Sequence, residues 1–495
     1  MIISRATNEA RAAALLDRPW RLLIGGELVA ATNNALYATH CPADGRHLAD
    51  VPFAGRADVA AAVAAAAAAA PGWRRTPLIE RGRILQRAVD LLRANAHDLG
   101  LMDGIDSGNP VAAMAAEVEV ACEWLEYIRG VSFELKGQVL PANGNHWLFT
   151  RREPYGVVGR IIAFNHPILF AIQKLGAPLM AGNTLVLKAP DQTPLAPLLM
   201  GELLREVFPP GVLNIVTGDG PTTGDALVRH PTVKRLALIG SIPTGQRIMR
   251  SAAESGIKHV SLELGGKNPL IVFPDADLDR AAQAAVNGMN FRRTQGQSCG
   301  STTRLFLHDE IHDAVLERVV ALAANVKIGH PLDPASEMGA LVSAQQRDRV
   351  LGYIAAAKAE GARLVCGGSA PAGLEDGYFV APTIFANVTP EMTVAREEIF
   401  GPVLSVLRWR DSDDVLAQAN ALPYGLTAAV WTRDLNIARQ FADELDAGYV
   451  WVNGSAAHYL GAPFSGHKSS GTDSEEGIEE LFSYTQVKTV SLGPG

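Results

Sequence analysis

The sequence predicts an α/β protein built on two parallel, helix-covered sheets. Between residues 156 and 263 the short β-rich runs VVGRIIAF, TLVLK, LNIV and RLALI alternate with helix-length segments, the rhythm of right-handed crossovers onto a parallel sheet. A second series follows, with NPLIVF, TTRLFLH, ARLVCGG, VLSVLRW, LTAAVWT and GYVWVN, and reads as a second α/β unit. The length agrees, because 495 residues is about three times a domain of roughly 150 residues.

Taken in chain order, residues 59–70 read as an Ala-rich amphipathic helix, too short and too weakly apolar to span a bilayer. Residues 81–97 place Leu85, Ala88, Val89, Leu92 and Ala96 on one helical face, with charges opposite, so this helix is expected to cover a sheet. Crossover helices are expected at 168–179, 195–207, 221–229 and 244–254. The closing run LFSYTQVKTVSLG alternates in part through Tyr484, Val487 and Val490 and predicts a terminal strand. Such a strand needs a neighbour, and another subunit is one source.

Composition narrows the class of function. Hydrophobic residues make up 48% and charged residues 19%, which suits a globular enzyme rather than a disordered chain. A formal charge of -8 provides no basic field for nucleic acid. The opening MIISRATNEARAAALLDRPW lacks a continuous apolar core and a cleavage site, so a cytoplasmic protein is expected rather than a secreted one. Cys41, Cys122, Cys299 and Cys366 are scattered without a CxxC pair, which argues against a disulfide framework and against a zinc cluster. No metal is expected, and one cysteine is free to act as a nucleophile.

Three segments carry candidate chemistry. In GQSCGSTTR, small neighbours leave Cys299 open to close approach; a thiolate there can attack an aldehyde and release hydride to a cofactor, and plain packing is the ordinary alternative. In VSLELGGKNP, Glu263 ends an apolar run at a Gly-Gly break, a setting that raises a carboxylate's pKa and suits it to activating water, or that holds a structural salt bridge. In AFNHP, Asn165 precedes a proline-constrained turn; its amide can stabilise an oxyanion or cap the turn. Glycines at Gly218 and Gly220, and GSIPTG from Gly240 to Gly245, follow strands without forming GxGxxG. They can present backbone amides to phosphate or simply serve tight turns.

In combination these segments resemble the aldehyde dehydrogenase superfamily of the NAD(P)-dependent, hydrolytic type over roughly residues 23–490. Its motifs occur in order: ELGGK at 263–267, GQxC at 296–299 and EEIFGPV at 397–403. The resemblance implies Cys299 as nucleophile, Glu263 as base for thioester hydrolysis, and Asn165 with the Cys299 backbone N–H as the oxyanion hole. Lys174 and Glu475 match a pair implicated in proton exit and structure. The implied cofactor is NAD rather than NADP, held by Ile162, Phe164, Lys188, Asp191, Gly220, Gly240, Ser241, Leu264, Glu398 and Phe400. Of these, Lys188 and Asp191 are expected at the adenosine ribose, Ser241 near the pyrophosphate, and Glu398 and Phe400 at the nicotinamide ribose and ring. By family position, His166, Phe170, Gln173, Ser298, Gly300, His458 and Tyr459 line an aldehyde tunnel, which points to a bulky, aromatic or oxygenated substrate.

The same resemblance implies a cofactor domain (1–129 and 151–262) with a five-stranded Rossmann variant, a catalytic domain (263–465), and oligomerisation segments (130–150 and 466–495) that join protomers into a homodimer or homotetramer. Four positions depart from the family pattern. Phe164 replaces a tryptophan, His166 follows the asparagine, DSEEG replaces GRExG, and Asp191 is a methylene shorter than the common glutamate. The implied activity is oxidation of an aldehyde to its carboxylic acid through a Cys299 thiohemiacetal, hydride transfer to NAD and Glu263-assisted hydrolysis. A CoA-acylating relative and a non-enzymatic binding protein are the alternatives. Glu263 speaks for water as the acyl acceptor, and the intact set of Cys299, Glu263 and cofactor residues speaks for catalysis.

Overall fold

The computed structural model describes residues 4–493; the first three residues of the expected cofactor domain and the last two of the expected oligomerisation segment lie outside it. The run from 156 to 263 forms the parallel centre of an eight-stranded sheet. Leu213–Val216, Thr184–Lys188, Val157–Ile161, Val233–Ile239 and His259–Glu263 pair in parallel in that order. These strands are β-branched and almost wholly buried, as a sheet covered by helices on both faces requires. The hairpin Leu22–Ile24 with Glu27–Val29 adds one antiparallel edge. Gly471–Thr472 adds the other, pairing with Leu262 and Glu263.

The second series forms a seven-stranded sheet in the order Arg363–Cys366, Thr383–Ala386, Val403–Trp409, Arg304–His308, Pro269–Val272, Thr427–Trp431 and Tyr449–Val452. Only the first of these is antiparallel to its neighbour. Thr383–Ala386 has no counterpart among the predicted strands, since four residues between Pro382 and Asn387 carry too little alternation to register.

Three expectations need correction. The helix expected over 81–97 is Leu78–Ala94, and Asn95 separates it from Ala96–Ser107. The helix expected over 168–179 breaks into Pro167–Gln173 and Gly176–Met180, leaving Lys174 at the junction. The terminal strand Thr485–Leu492 finds its neighbour within the chain, pairing antiparallel with all of Trp147–Pro154. Val139–Leu140 completes that three-stranded ribbon. Trp147, Val139 and Val487 on the ribbon are exposed. Among the described residues no helix is long and apolar enough to cross a membrane.

Candidate active site

The ends of the parallel strands converge on the site, where loops of open α/β sheets bind ligands. Glu263 is the last residue of its strand, and Gly265, Gly266 and Asn268 follow it into the next sheet. Asn268 then fixes the cysteine loop. Its Nδ2 donates to the carbonyls of Cys299 at 2.7 Å and Ser301 at 2.9 Å, while its Oδ1 accepts the Thr427 N–H at 3.1 Å. A Cβ on Gly266 would stand 2.6 Å from the Cys299 carbonyl oxygen, so this approach needs glycine. Upstream, Asn290, Gln295 and Gly296 all take positive φ. A chain held in these conformations is over-determined by its surroundings, as is common where a reacting group must be aimed.

Burial, then the neighbouring Glu263 charge, pushes the Cys299 thiol well above its usual value. Burial likewise raises Glu263 to about 8, and its buried Oε1 has no protein hydrogen-bond partner among the described residues. Two acidic groups that hold each other neutral, with one carboxylate oxygen free, suit proton exchange near neutrality. Behind them lies a buried charge cluster. Glu475 stands 2.7 Å from Arg160 and 2.8 Å from Lys174, and Glu480 stands 3.5 Å from Lys174. Burial alone would neutralise Glu475, but Arg160 and Lys174 outweigh it and hold the carboxyl low. Burial also opposes the Lys174 charge, and Glu475 and Glu480 outweigh that. Glu475 raises and Lys174 lowers the Glu263 pKa through their charges, so the expected pair is within electrostatic reach of the expected base.

Asn165 is 3% exposed. Its carbonyl accepts from Asn109 Nδ2 at 3.0 Å, and Asp103 Oδ2 accepts the Ile168 N–H at 2.8 Å, anchoring the turn on both sides. Neither the Asn165 side-chain amide nor the Cys299 backbone N–H has a protein partner among the described residues, the state expected of donors kept for an oxyanion.

The cofactor candidates fall along the same sheet edge. Lys188 ends its strand and is buried; burial lowers its pKa, and the charges of Asp191 and Asp219 oppose that. Asp191 and Gly218 line a cavity of about 330 Å³ with Tyr37, Phe53, Asp219 and Tyr378. Ile162 N–H reaches the Lys188 carbonyl at 3.4 Å. Gly220 opens the turn Gly220–Gly224, capped by Asp219. Gly240 precedes Ser241, the N-cap of Ile242–Ser255, and Leu264 packs on Gly245 in that helix's first turn. Glu398 Oε1 accepts the Gly266 N–H at 3.0 Å, burial raises this carboxyl to about 7, and the rings of Phe164 and Phe400 meet edge-on at 5.6 Å. An exposed helix N-cap, glycine turns and carboxylates at each end form a donor and acceptor set that fits a dinucleotide.

The tunnel candidates divide. His166 Nδ1 lies 2.8 Å from Glu117 and its ring meets Phe170 at 5.6 Å. Phe170 and Gln173 are buried, and Ser298 and Gly300 flank the cysteine. His458 Nδ1 lies 2.8 Å from Glu476, and its ring sits among Tyr449, Trp451 and Phe464. Burial would lower the His458 pKa, yet Glu476 outweighs it and Glu263 adds to the rise. Tyr459, by contrast, is 64% exposed. The sequence reading did not single out Asn268, Asn109, Asp103, Glu117, Glu476 or Arg160. Only Arg160 carries a local signal, a charge inside the apolar strand VVGRI.

A family model described as the aldehyde dehydrogenase family matches residues 28–490. The aldehyde dehydrogenase tropH of Talaromyces stipitatus is 46% identical over 463 residues, 92% of this chain and 89% of that protein. Among solved structures, an NAD+ complex of an aldehyde dehydrogenase from Bacillus cereus superposes with a TM-score of 0.94 at 40% identity, over 97% of each chain. The P. syringae indole-3-acetaldehyde dehydrogenase AldA, solved as a mutant with NAD+ and IAA, superposes with a TM-score of 0.95 at 38% identity, over 99% of each chain.

Proposed function

The chain belongs to the aldehyde dehydrogenase family as an NAD-dependent member, and we propose that it oxidises its aldehyde to the free carboxylic acid through a thioester on Cys299. The observation that carries this reading is the juxtaposition of Cys299 with Glu263, whose Oε1 is buried and has no protein hydrogen-bond partner among the described residues.

Cys299 gives up its proton as Sγ bonds to the aldehyde carbon, and Glu263 is the adjacent acceptor. The carbonyl oxygen becomes an oxyanion that takes hydrogen bonds from the Asn165 amide and the Cys299 N–H. Bound NAD supplies the acceptor for the hydride lost when this thiohemiacetal becomes a thioester. Once Glu263 has passed the thiol's proton to solvent it removes a proton from water, the hydroxide adds to the thioester carbon, and the carbon–sulfur bond breaks, the leaving thiolate taking that proton back from Glu263 as the acid is released. Lys174 steadies the charge on Glu263 as its proton leaves, while the charge of Glu475 opposes it and favours the protonated form.

Lys188 and Asp191 would hold the adenosine ribose, Ser241 the pyrophosphate, and Glu398 and Phe400 the nicotinamide end. The sheet ending at Glu263 then serves as the cofactor unit and the seven-stranded sheet as the catalytic unit. The exposed apolar ribbon residues support a homodimer or homotetramer. His458 among its aromatic neighbours, with His166 and Phe170, supports a bulky, aromatic or oxygenated aldehyde.

The test is an aldehyde panel read by NADH formation, with product analysis in the presence and absence of CoA. Free acid without CoA is expected, together with an acyl adduct on Cys299 by mass spectrometry. Turnover that requires CoA and yields acyl-CoA would replace this reading with the acylating one.

A further inference from the structure

Away from the active site three side chains of different donor type meet. The Cys41 sulfur, a carboxylate oxygen of Asp44 and a ring nitrogen of His330 all lie within 4.8 Å of one another. The first two share a tight turn between the strands Leu36–His40 and His47–Pro52. The N–H groups of Asp44 and Gly45 both donate to the Cys41 carbonyl, at 3.4 and 2.8 Å, and Cys41 N–H donates to the Arg46 carbonyl at 2.9 Å. The turn therefore folds the carboxylate back towards the thiol.

His330 arrives from a distant segment that is itself well anchored. Asn8 Nδ2 donates to the Leu332 carbonyl at 2.9 Å, Val111 N–H donates to the Pro331 carbonyl at 2.9 Å, and Ser336 Oγ donates to the His330 carbonyl at 2.9 Å. Cys41 and His330 are buried, while Asp44 stands at the surface.

We propose that Cys41, Asp44 and His330 form a structural site for a zinc-type divalent cation, with a solvent water as fourth ligand. Thiolate, imidazole and carboxylate together suit a borderline-soft, tetrahedral metal, whereas magnesium and calcium call for oxygen donors. Zinc–ligand bonds of about 2.0–2.3 Å place tetrahedral donors roughly 3.3–3.8 Å apart, so donors that lie within 4.8 Å of one another have only a short distance to draw in.

Closure has to overcome the burial that pushes the Cys41 thiol up to about 12, which the charge of a bound divalent ion offsets. Both oxygens of the Asp44 carboxylate are engaged: Oδ1 accepts the Arg46 backbone N–H at 3.0 Å, and Oδ2 pairs with the Arg46 side chain at 3.2 Å, an exposed ion pair of small net worth. Among the described residues, the one side-chain hydrogen bond of His330 is a long contact of 3.2 Å from Leu332 N–H to Nδ1. Binding breaks the Cys41 S–H bond, forms sulfur–metal and sends the proton to solvent, with no change of oxidation state. The bound ion ties the hairpin turn at Cys41 to the loop at His330.

Full-length protein carrying Cys299→Ala, which removes the competing active-site thiol, is reduced, stripped with chelator and titrated with Co2+. One cobalt per chain is expected, with a thiolate-to-cobalt charge-transfer band that Zn2+ abolishes. Adding Cys41→Ser should remove the band, and adding His330→Ala should weaken cobalt binding by at least about tenfold. On the otherwise unaltered enzyme His330→Ala should keep aldehyde oxidation, which establishes that it folds. A second readout needs no variant at the site: Zn2+ should slow alkylation of Cys41, mapped by mass spectrometry, and leave Cys366 unaffected. Absence of saturable cobalt binding in the parent, a band that survives Cys41→Ser, or alkylation of Cys41 indifferent to Zn2+ would overturn the proposal.

Discussion

The Glu398 carboxylate occupies the space that a side chain on Gly265 would need; a Cβ built there overlaps Oε2. Glycine at 265 is thus a condition for Glu398 to lie against the Gly266 N–H. Gly265→Ala should push Glu398 off the Gly266 N–H and so away from the nicotinamide end proposed for it. A displacement of about 1 Å near the reacting centre costs on the order of 100-fold, so kcat/KM for NAD should fall by roughly that factor. Alkylation of Cys299 should proceed at near the parental rate. Unchanged NAD kinetics would remove Glu398 from the proposed cofactor set.

Glu263→Gln should separate the two halves of the reaction. Mixing the variant with NAD and a good aldehyde should give a burst of about one NADH per active site, then slow turnover as acyl-enzyme accumulates. Steady turnover without a burst, and no acyl group on Cys299, would assign the hydrolytic step elsewhere.

The pH profile follows from the same residue. Because burial raises Glu263 to about 8, the carboxylate form grows with pH up to that value. Where hydrolysis limits the rate, turnover should climb about tenfold per unit below pH 8 and level off above it. The limb should vanish in Glu263→Gln, as stopped-flow measurement of deacylation across pH 6–10 would show.

Asp191 interacts with the buried Lys188 and lines the cavity beside Gly218 and Asp219; if that cavity takes the adenosine ribose, as proposed, Asp191 places a negative charge where NADP would bring its 2′-phosphate. Wild type should favour NAD in kcat/KM, and Asp191→Ser should narrow the preference, since a like-charge repulsion is removed. A wild-type preference for NADP would contradict the assignment.

Glu475→Ala should be costly to the fold, because Arg160 and Lys174 would be left buried without their shared carboxylate. Loss of one partner from such a cluster destabilises by about 3–5 kcal/mol. Glu475 is held below the usual glutamate value, so its contribution is present above that value and fades as pH falls towards the depressed one. Wild type should therefore lose thermal stability on acidification over that window more steeply than Glu475→Ala, by scanning calorimetry.

Cys299, Glu263 and Asn165 stand out in the sequence as candidates because each interrupts a local pattern: a glycine-flanked loop, a strand ending in Gly-Gly, and a turn before proline. The residues that position them carry no such mark. Asn109 matters through a bond to Asn165, 56 positions on, and Asp103 through one to Ile168, 65 positions on, and periodicity cannot see across that distance. Alternation revealed the strand Thr485–Leu492 but not its partner, because pairing is set by where the chain returns. Nor does helical spacing foresee the break at Lys174, which lets its side chain turn towards Glu475. The separation of Cys41 from His330 hid their meeting in the same way, since ligand spacing in sequence reveals only sites built from neighbouring residues.

The closing stretch of the chain completes the first sheet. Gly471–Thr472 adds its edge strand, Asn183 Nδ2 donates to the Tyr484 carbonyl at 2.9 Å, and Tyr484, 324 positions beyond Arg160, accepts from its guanidinium. During synthesis, then, the parallel strands of the first sheet emerge well before residues 471–484, and Arg160 cannot meet Glu475 and Tyr484 until those residues follow. At about 5–20 residues per second that interval lasts tens of seconds. Until it ends the nascent sheet carries an open edge and an uncompensated buried cation, so folding of the two units is coupled and the first cannot reach its final stability ahead of the second.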